Sequence, residues 1–166
     1  MRQKQNVRKS NIIEIAKPAA KKIQDGVGME ELCGFYGVSL RIMCIPDERI
    51  KAYYFYQSRI HNIVINQEYR GMTRKILIAH ELGHFLLHMD IMKYAPHIDT
   101  AIFGNDKMEA EANLFAAEIL VPDDMSDICF PPELLMYKAE LLKEKGFHVN
   151  YDIPDCRFLK SCGKSE

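Results

Sequence analysis

Five consecutive residues, His80-Glu81-Leu82-Gly83-His84, set two imidazoles and a carboxylate in the order H-E-x-x-H. Residues four apart on a helix lie one turn apart on the same face, so His80 and His84 can offer nitrogens to a single metal ion. Glu81, beside them, is placed to take a proton from a water that the ion acidifies. The implied chemistry is metal-assisted hydrolysis. Zinc is the default ion, and manganese, iron and cobalt are compatible with the same donors.

The motif needs a helix, and Met72 to Met89 reads as one, with no proline and a single glycine. Its spacing puts His80, Glu81, His84, His88 and Leu77 within one arc. Ile78, Leu82, Phe85, Leu86 and Met89 fall on the other side. Gly83 flanks the ligand arc and leaves room for a close neighbour, either another element or a substrate backbone. His88 is a candidate cleft residue, as a ligand or as a residue that orients one. The competing reading is a core helix whose two histidines merely happen to lie four apart, and the acid between them weakens it.

A catalytic zinc commonly has three protein ligands and one open position, so a third donor is expected from another element. Lys107 to Leu120, closed by Pro122, is the next helical segment. Its spacing puts Glu109 with Ala112, Asn113, Ala116 and Leu120, on a small and mostly apolar face. A bare carboxylate there is expensive to bury, and a metal ion is a suitable partner. Asn113, one turn after Glu109, is placed to orient His80 or His84 through the second ring nitrogen. Glu111 and Glu118 fall beside Lys107 on what reads as the solvated face. Glu109 has a rival reading, as the third helical position of a capping box begun by Asp106.

The run RKILIAHELGHFLLH (Arg74 to His88), followed by EAEANLFAAEILVP (Glu109 to Pro122), resembles the ImmA/IrrE family of metallopeptidases. The usual pattern there is R-x-x-x-A-H-E-L-G-H-x-x-x-H, then E-x-x-A-N/D-x-F-A-A-x-L-L-x-P. The resemblance covers Met29 to Pro122 and includes the strand-like NIVIN (Asn62 to Asn66). By position, His80, His84 and Glu109 match the family's zinc ligands, and Glu81 matches its catalytic acid/base. Asn113 stands where the pattern has Asn or Asp. The resemblance implies a zincin-like fold and a zinc-dependent endopeptidase. Family members commonly cut a helix-turn-helix repressor that silences a mobile element, a phage or a stress response, which would make this chain an anti-repressor. Some members add DNA-binding or sensory domains, and no such segment is recognisable here.

Composition is consistent with one domain of 166 residues, 48% hydrophobic and 27% charged. The formal net charge of −1 gives no case for direct nucleic-acid binding. The basic start, Met1 to Lys9, reads as a solvated tail, and Phe147 to Glu166 as a loosely packed one. No apolar run reaches membrane-helix length, and the N-terminal segment lacks the apolar stretch of a signal peptide. Five cysteines without a C-x-x-C point to free thiols and a cytoplasmic location. Cys156 and Cys162 lack the partner pair of a metal site.

The expected architecture is α+β and zincin-like: a small antiparallel three-stranded sheet packed with the H-E-x-x-H helix and the second ligand-bearing helix. Asn11 to Gln24 carries a helical stripe at Ile12, Ile15, Ala19 and Ile23, with Pro18 expected to kink or divide it. Met29 to Tyr36 reads as a short helix stopped by Gly37. Val38 to Ile45, Ala52 to Tyr56 and Asn62 to Asn66 read as the strands, with a hairpin loop at Ser58 to His61. Tyr53 to Tyr56 reads as sheet packing. Asp90 to Asn105 reads as a loop bordering the cleft, with Tyr94 and His97 as candidates for stabilising an oxyanion. Glu133 to Gly146 is a last amphipathic helix. The partner expected is a protein substrate. The alternative function is a zinc-containing regulatory module that sequesters a repressor without cleaving it.

Overall fold

The computed structural model describes residues 7–92, 97–99, 107–125 and 129–149. Its helices are α1 (Lys9–Gln24), α2 (Met29–Phe35), α3 (Gly71–Met92), α4 (Lys107–Leu120) and α5 (Pro132–Glu144). Its strands are β1 (Val38–Met43), β2 (Ala52–Gln57), β3 (Ile60–Asn66) and β4 (His97–Asp99). The class is α+β, as expected. Residues 1–6, Tyr94, Asp106, Cys156 and Cys162 lie outside the described residues.

The sheet is mixed, where an antiparallel one is expected. Strand order is β1-β3-β2-β4, with β3 parallel to β1 and antiparallel to β2, and with β2 antiparallel to β4. The physical reason is local. Ser58 and Arg59 take φ of 54° and 65°, so β2 and β3 close through a two-residue turn of the left-handed type that suits the strand twist. That turn fixes β3 against β2. The longer connection after β1 then lets β1 pair with the open side of β3. β4 adds a fourth strand from a segment that reads as loop, and His97 pairs with Tyr54 across β2–β4.

The sheet supports α3 through buried side chains. Tyr54, Ile63 and Ile65 are fully buried, and the Tyr54 ring lies 6.4 Å from that of Phe85 on α3. Tyr54 also hydrogen-bonds His61 Nδ1 at 2.6 Å, and burial pushes its phenol pKa up. Within the aromatic run Tyr54 is therefore core packing, while Tyr53 and Phe55 are half-buried and Tyr56 is exposed. In α1, the buried residues are Ile12, Ala16, Ala19 and Ala20, while Ile15 is exposed, so the stripe is rotated from the expected one. Pro18 sits on the exposed side of an unbroken helix, where water can serve the carbonyl it leaves without a donor.

Helix α3 is buried all round from Ile76 to Phe85, so its polar arc is not solvated. Helix α4 covers it. Gly83 is a point of close approach: a Cβ there would meet the Ala112 carbonyl oxygen at 3.1 Å, Phe115 Cδ1 at 3.1 Å and Ala112 Cα at 3.2 Å. The neighbour that the missing side chain admits is thus the backbone of α4.

Glu111 and Glu118, expected on a solvated face, are both buried. Helix α5 covers Glu118, which accepts from Lys138 at 3.0 Å and from Lys145 at 2.6 Å. Lys138, itself 1% exposed, also reaches Asp123 at 2.6 Å. Burial pushes the Asp123 carboxyl up, but hydrogen bonds and charge from Lys138 and Lys145 outweigh it and hold the pKa below the ordinary value. These pairs fasten α5 to the C-terminal end of α4, because removing one partner would strand a charge in the interior. Among the described residues no helix is long and apolar enough to cross a membrane.

Gly83→Ala tests the helix contact. Alanine favours a helix over glycine by roughly 1 kcal/mol, but here its methyl would press on backbone. Overpacking typically costs about 1–3 kcal/mol. The expected outcome in a denaturant titration is a net loss of up to about 2 kcal/mol; a gain would mean that α4 yields freely.

Candidate functional site

The site lies where α4 crosses the arc of α3 that carries the motif. His80 and His84 are fully buried, and their Nε2 atoms are 3.0 Å apart. Glu109, on the first turn of α4, places Oε2 at 3.1 Å from His80 Nε2 and Oε1 at 3.1 Å from His84 Nε2. The side chain of Glu109 is 14% exposed. Small residues on α4, including the buried Ala112, Ala116 and Ala117, permit this approach, and Gly83 completes it.

Asn113 Oδ1 lies 2.7 Å from His80 Nδ1 and, as an acceptor, takes the ring hydrogen there. His80 Nε2 is then left with its lone pair facing Glu109 and His84. Asn113 is fully buried, so this contact is shielded from water. Glu81 is fully buried beside the pair. His88 stands outside the donor cluster: its Nδ1 is 3.2 Å from His84 Nδ1, and its Nε2 is 2.8 Å from Glu111 Oε2.

Whether these residues suit a metal ion follows from their geometry. The donor atoms of His80, His84 and Glu109 all lie within 4.8 Å of one another. With bonds of about 2.0–2.1 Å, a tetrahedral ion separates its ligand atoms by roughly 3.3–3.4 Å. The observed 3.0–3.1 Å needs only small side-chain adjustments to reach that. A single proton can relieve one contact in such a triangle, whereas a divalent cation satisfies all three. The set fits a metal ion, and its arrangement is zincin-like.

Of the residues singled out by sequence, His80, Glu81, His84, Glu109 and Asn113 are brought together. The carboxylate of Glu109 reaches both imidazoles, while Asp106, the rival cap, lies outside the described residues. Tyr94 does too. His97 is in strand β4, where its backbone pairs with Tyr54 of β2. Glu111 is the residue that the sequence reading misses. The signal available was His88, a buried histidine on the ligand arc that needs a partner of its own.

The model of a family named Peptidase M78, described as the IrrE N-terminal-like domain, matches residues 33–151, a span that includes α3, α4 and α5. Two curated relatives match more locally. One, an "Uncharacterized immunity region protein 2" of Bacillus phage phi105, is 40% identical over 78 residues, 45% of this chain and 46% of that protein. Another, "Metallopeptidase ImmA" of Bacillus subtilis (strain 168), is 34% identical over 58 residues, 35% of this chain and 34% of that protein. The chain thus spans less than half the length of these relatives. No solved structure matches it.

Asn113→Leu removes the acceptor on His80 Nδ1 at similar volume. Loss of a residue that orients a ligand typically weakens metal binding about 10–100-fold. A chelator competition assay should give a drop of that size; an unchanged affinity would mean that His80 holds its orientation without Asn113.

Proposed function

The chain belongs to the Peptidase M78 family of IrrE N-terminal-like domains, and we propose from this that it is a zinc-dependent endopeptidase. The observation that carries the reading is the convergence of two imidazole nitrogens and a carboxylate, at 3.0–3.1 Å, beside a buried glutamate. His80, His84 and Glu109 would hold the ion. When bound, zinc supplies a Lewis acid that polarises a scissile carbonyl and lowers the pKa of water to about 7.

The rest of the reaction falls to the chain. Two neutral imidazoles and one carboxylate would leave a bound divalent ion with net positive charge. Glu81 takes the proton from the attacking water on a carboxylate oxygen and returns it to the departing amine. Glu81 is fully buried directly beside His80, next to where that proton would be released. Burial by α4 also shields the two imidazoles from bulk water, which strengthens charge interactions there.

The substrate on this reading is a helix-turn-helix repressor controlling a mobile element or a stress response. Support comes from the motif resemblance to ImmA/IrrE proteins and from a relative named for a phage immunity region. A cytoplasmic setting is supported by the odd number of cysteines, five, and by the lack of any C-x-x-C among them. Burial pushes the Cys33 thiol up to about 12, which makes it unreactive.

Glu81→Gln separates catalysis from metal binding. The variant should retain zinc and lose about 10²–10⁴-fold in the rate of cleaving a repressor encoded beside it, followed by gel and mass spectrometry. Undiminished cleavage would rule out Glu81 as the base. A wild type that holds zinc, binds the repressor and leaves it intact would support the sequestering module instead.

A further inference from the structure

We infer that Glu111 and His88 form a hydrogen-bond relay that sets the tautomer of His84 and turns its Nε2 lone pair toward the metal; the inference rests on the metal-site reading. The chain of contacts is Glu111 Oε2 to His88 Nε2 at 2.8 Å, then His88 Nδ1 to His84 Nδ1 at 3.2 Å.

The direction of each bond follows from what each group can do. A carboxylate only accepts, so His88 carries its hydrogen on Nε2. With His88 as the neutral imidazole, its one N–H is then used, which leaves a lone pair on Nδ1. His84 Nδ1 then donates to that lone pair. His84 in turn has no hydrogen left for Nε2, which lies 3.1 Å from Glu109 Oε1 and 3.0 Å from His80 Nε2. His84 thereby presents an electron pair where a cation is needed.

The placement supports a positioning role. His80, His84 and His88 are spaced by four on α3 and share one arc. On α4, Asn113 sets His80 directly, while Glu111, two residues earlier, sets His84 through His88. Glu111 is 6% exposed, and such burial is costly for an acid without strong partners. His88 is one such partner, and Lys107 Nζ, 3.8 Å from Oε1, adds a favourable charge. The reverse assignment, with His84 accepting from His88, would put a hydrogen on His84 Nε2 and block that donor.

The test uses the full chain labelled with ¹⁵N-histidine. In the metal-free protein, long-range ¹H–¹⁵N correlation should find the His84 hydrogen on Nδ1. In His88→Phe and Glu111→Leu that hydrogen should move toward Nε2, and zinc affinity by chelator competition should fall about 10–100-fold. Glu111→Gln keeps an accepting oxygen and should remain within about threefold of wild type. A wild-type His84 with its hydrogen on Nε2 would overturn the relay, as would full zinc affinity in Glu111→Leu. If His88→Phe does not fold, the two Glu111 variants decide the matter, since they leave all three histidines in place. Failure of the metal-site reading would show separately, as a wild type that takes up no zinc; the tautomer measurement on that metal-free chain would still decide the relay.

Discussion

The site depends on how closely two helices can approach. Gly83 has no side chain, and the Ala112 carbonyl of α4 occupies the space where one would begin, 3.1 Å from an ideal Cβ. This contact brings Glu109 onto His80 and His84 although the acid lies far from them in the chain. The same contact sets Asn113 and Glu111 against the motif helix. A shift of α4 by an ångström would disturb all three residues together, since they ride on one rigid element.

Packing so tight has an electrostatic consequence. It buries three histidines, two glutamates and an asparagine beside one another, in surroundings where unpartnered polar groups are expensive. The protein meets this with hydrogen bonds to the outer ring nitrogens, while the inner ones converge on the Glu109 carboxylate at 3.1 Å. Binding an ion only to the folded state would then stabilise it, by about 4 kcal/mol at a thousand times the dissociation constant. The opposite end of α4 is held by a different device. There Lys138 and Lys145 neutralise Glu118 and Asp123, so α4 is anchored at both ends by charged groups facing different neighbours.

What the sequence reveals is sorted by range. His80, Glu81 and His84 are legible because their relation is one helical turn, and local spacing decides it. Helices α3 and α4 follow from apolar periodicity, and Glu109 stands out as an acid among small residues. Glu111 and Glu118 are misread because a single helix seen alone has a solvated side by default; α4 has none, being covered by α3, α1 and α5. The parallel β1–β3 pair is likewise invisible locally. It depends on the tight Ser58-Arg59 turn taking one side of β3 and leaving the other to β1. His88 is visible as a histidine on the ligand arc, but its partner comes from another helix.

The central claim is that α3 and α4 together hold one metal ion. Metal content per chain, measured on protein purified without added metal, tests it most directly when wild type and Glu109→Ala are compared. The account predicts about one zinc in the wild type and little in the variant, because two imidazoles alone make an incomplete set. A wild type that holds no metal even after zinc is supplied would contradict it and leave H-E-x-x-H as part of a structural helix.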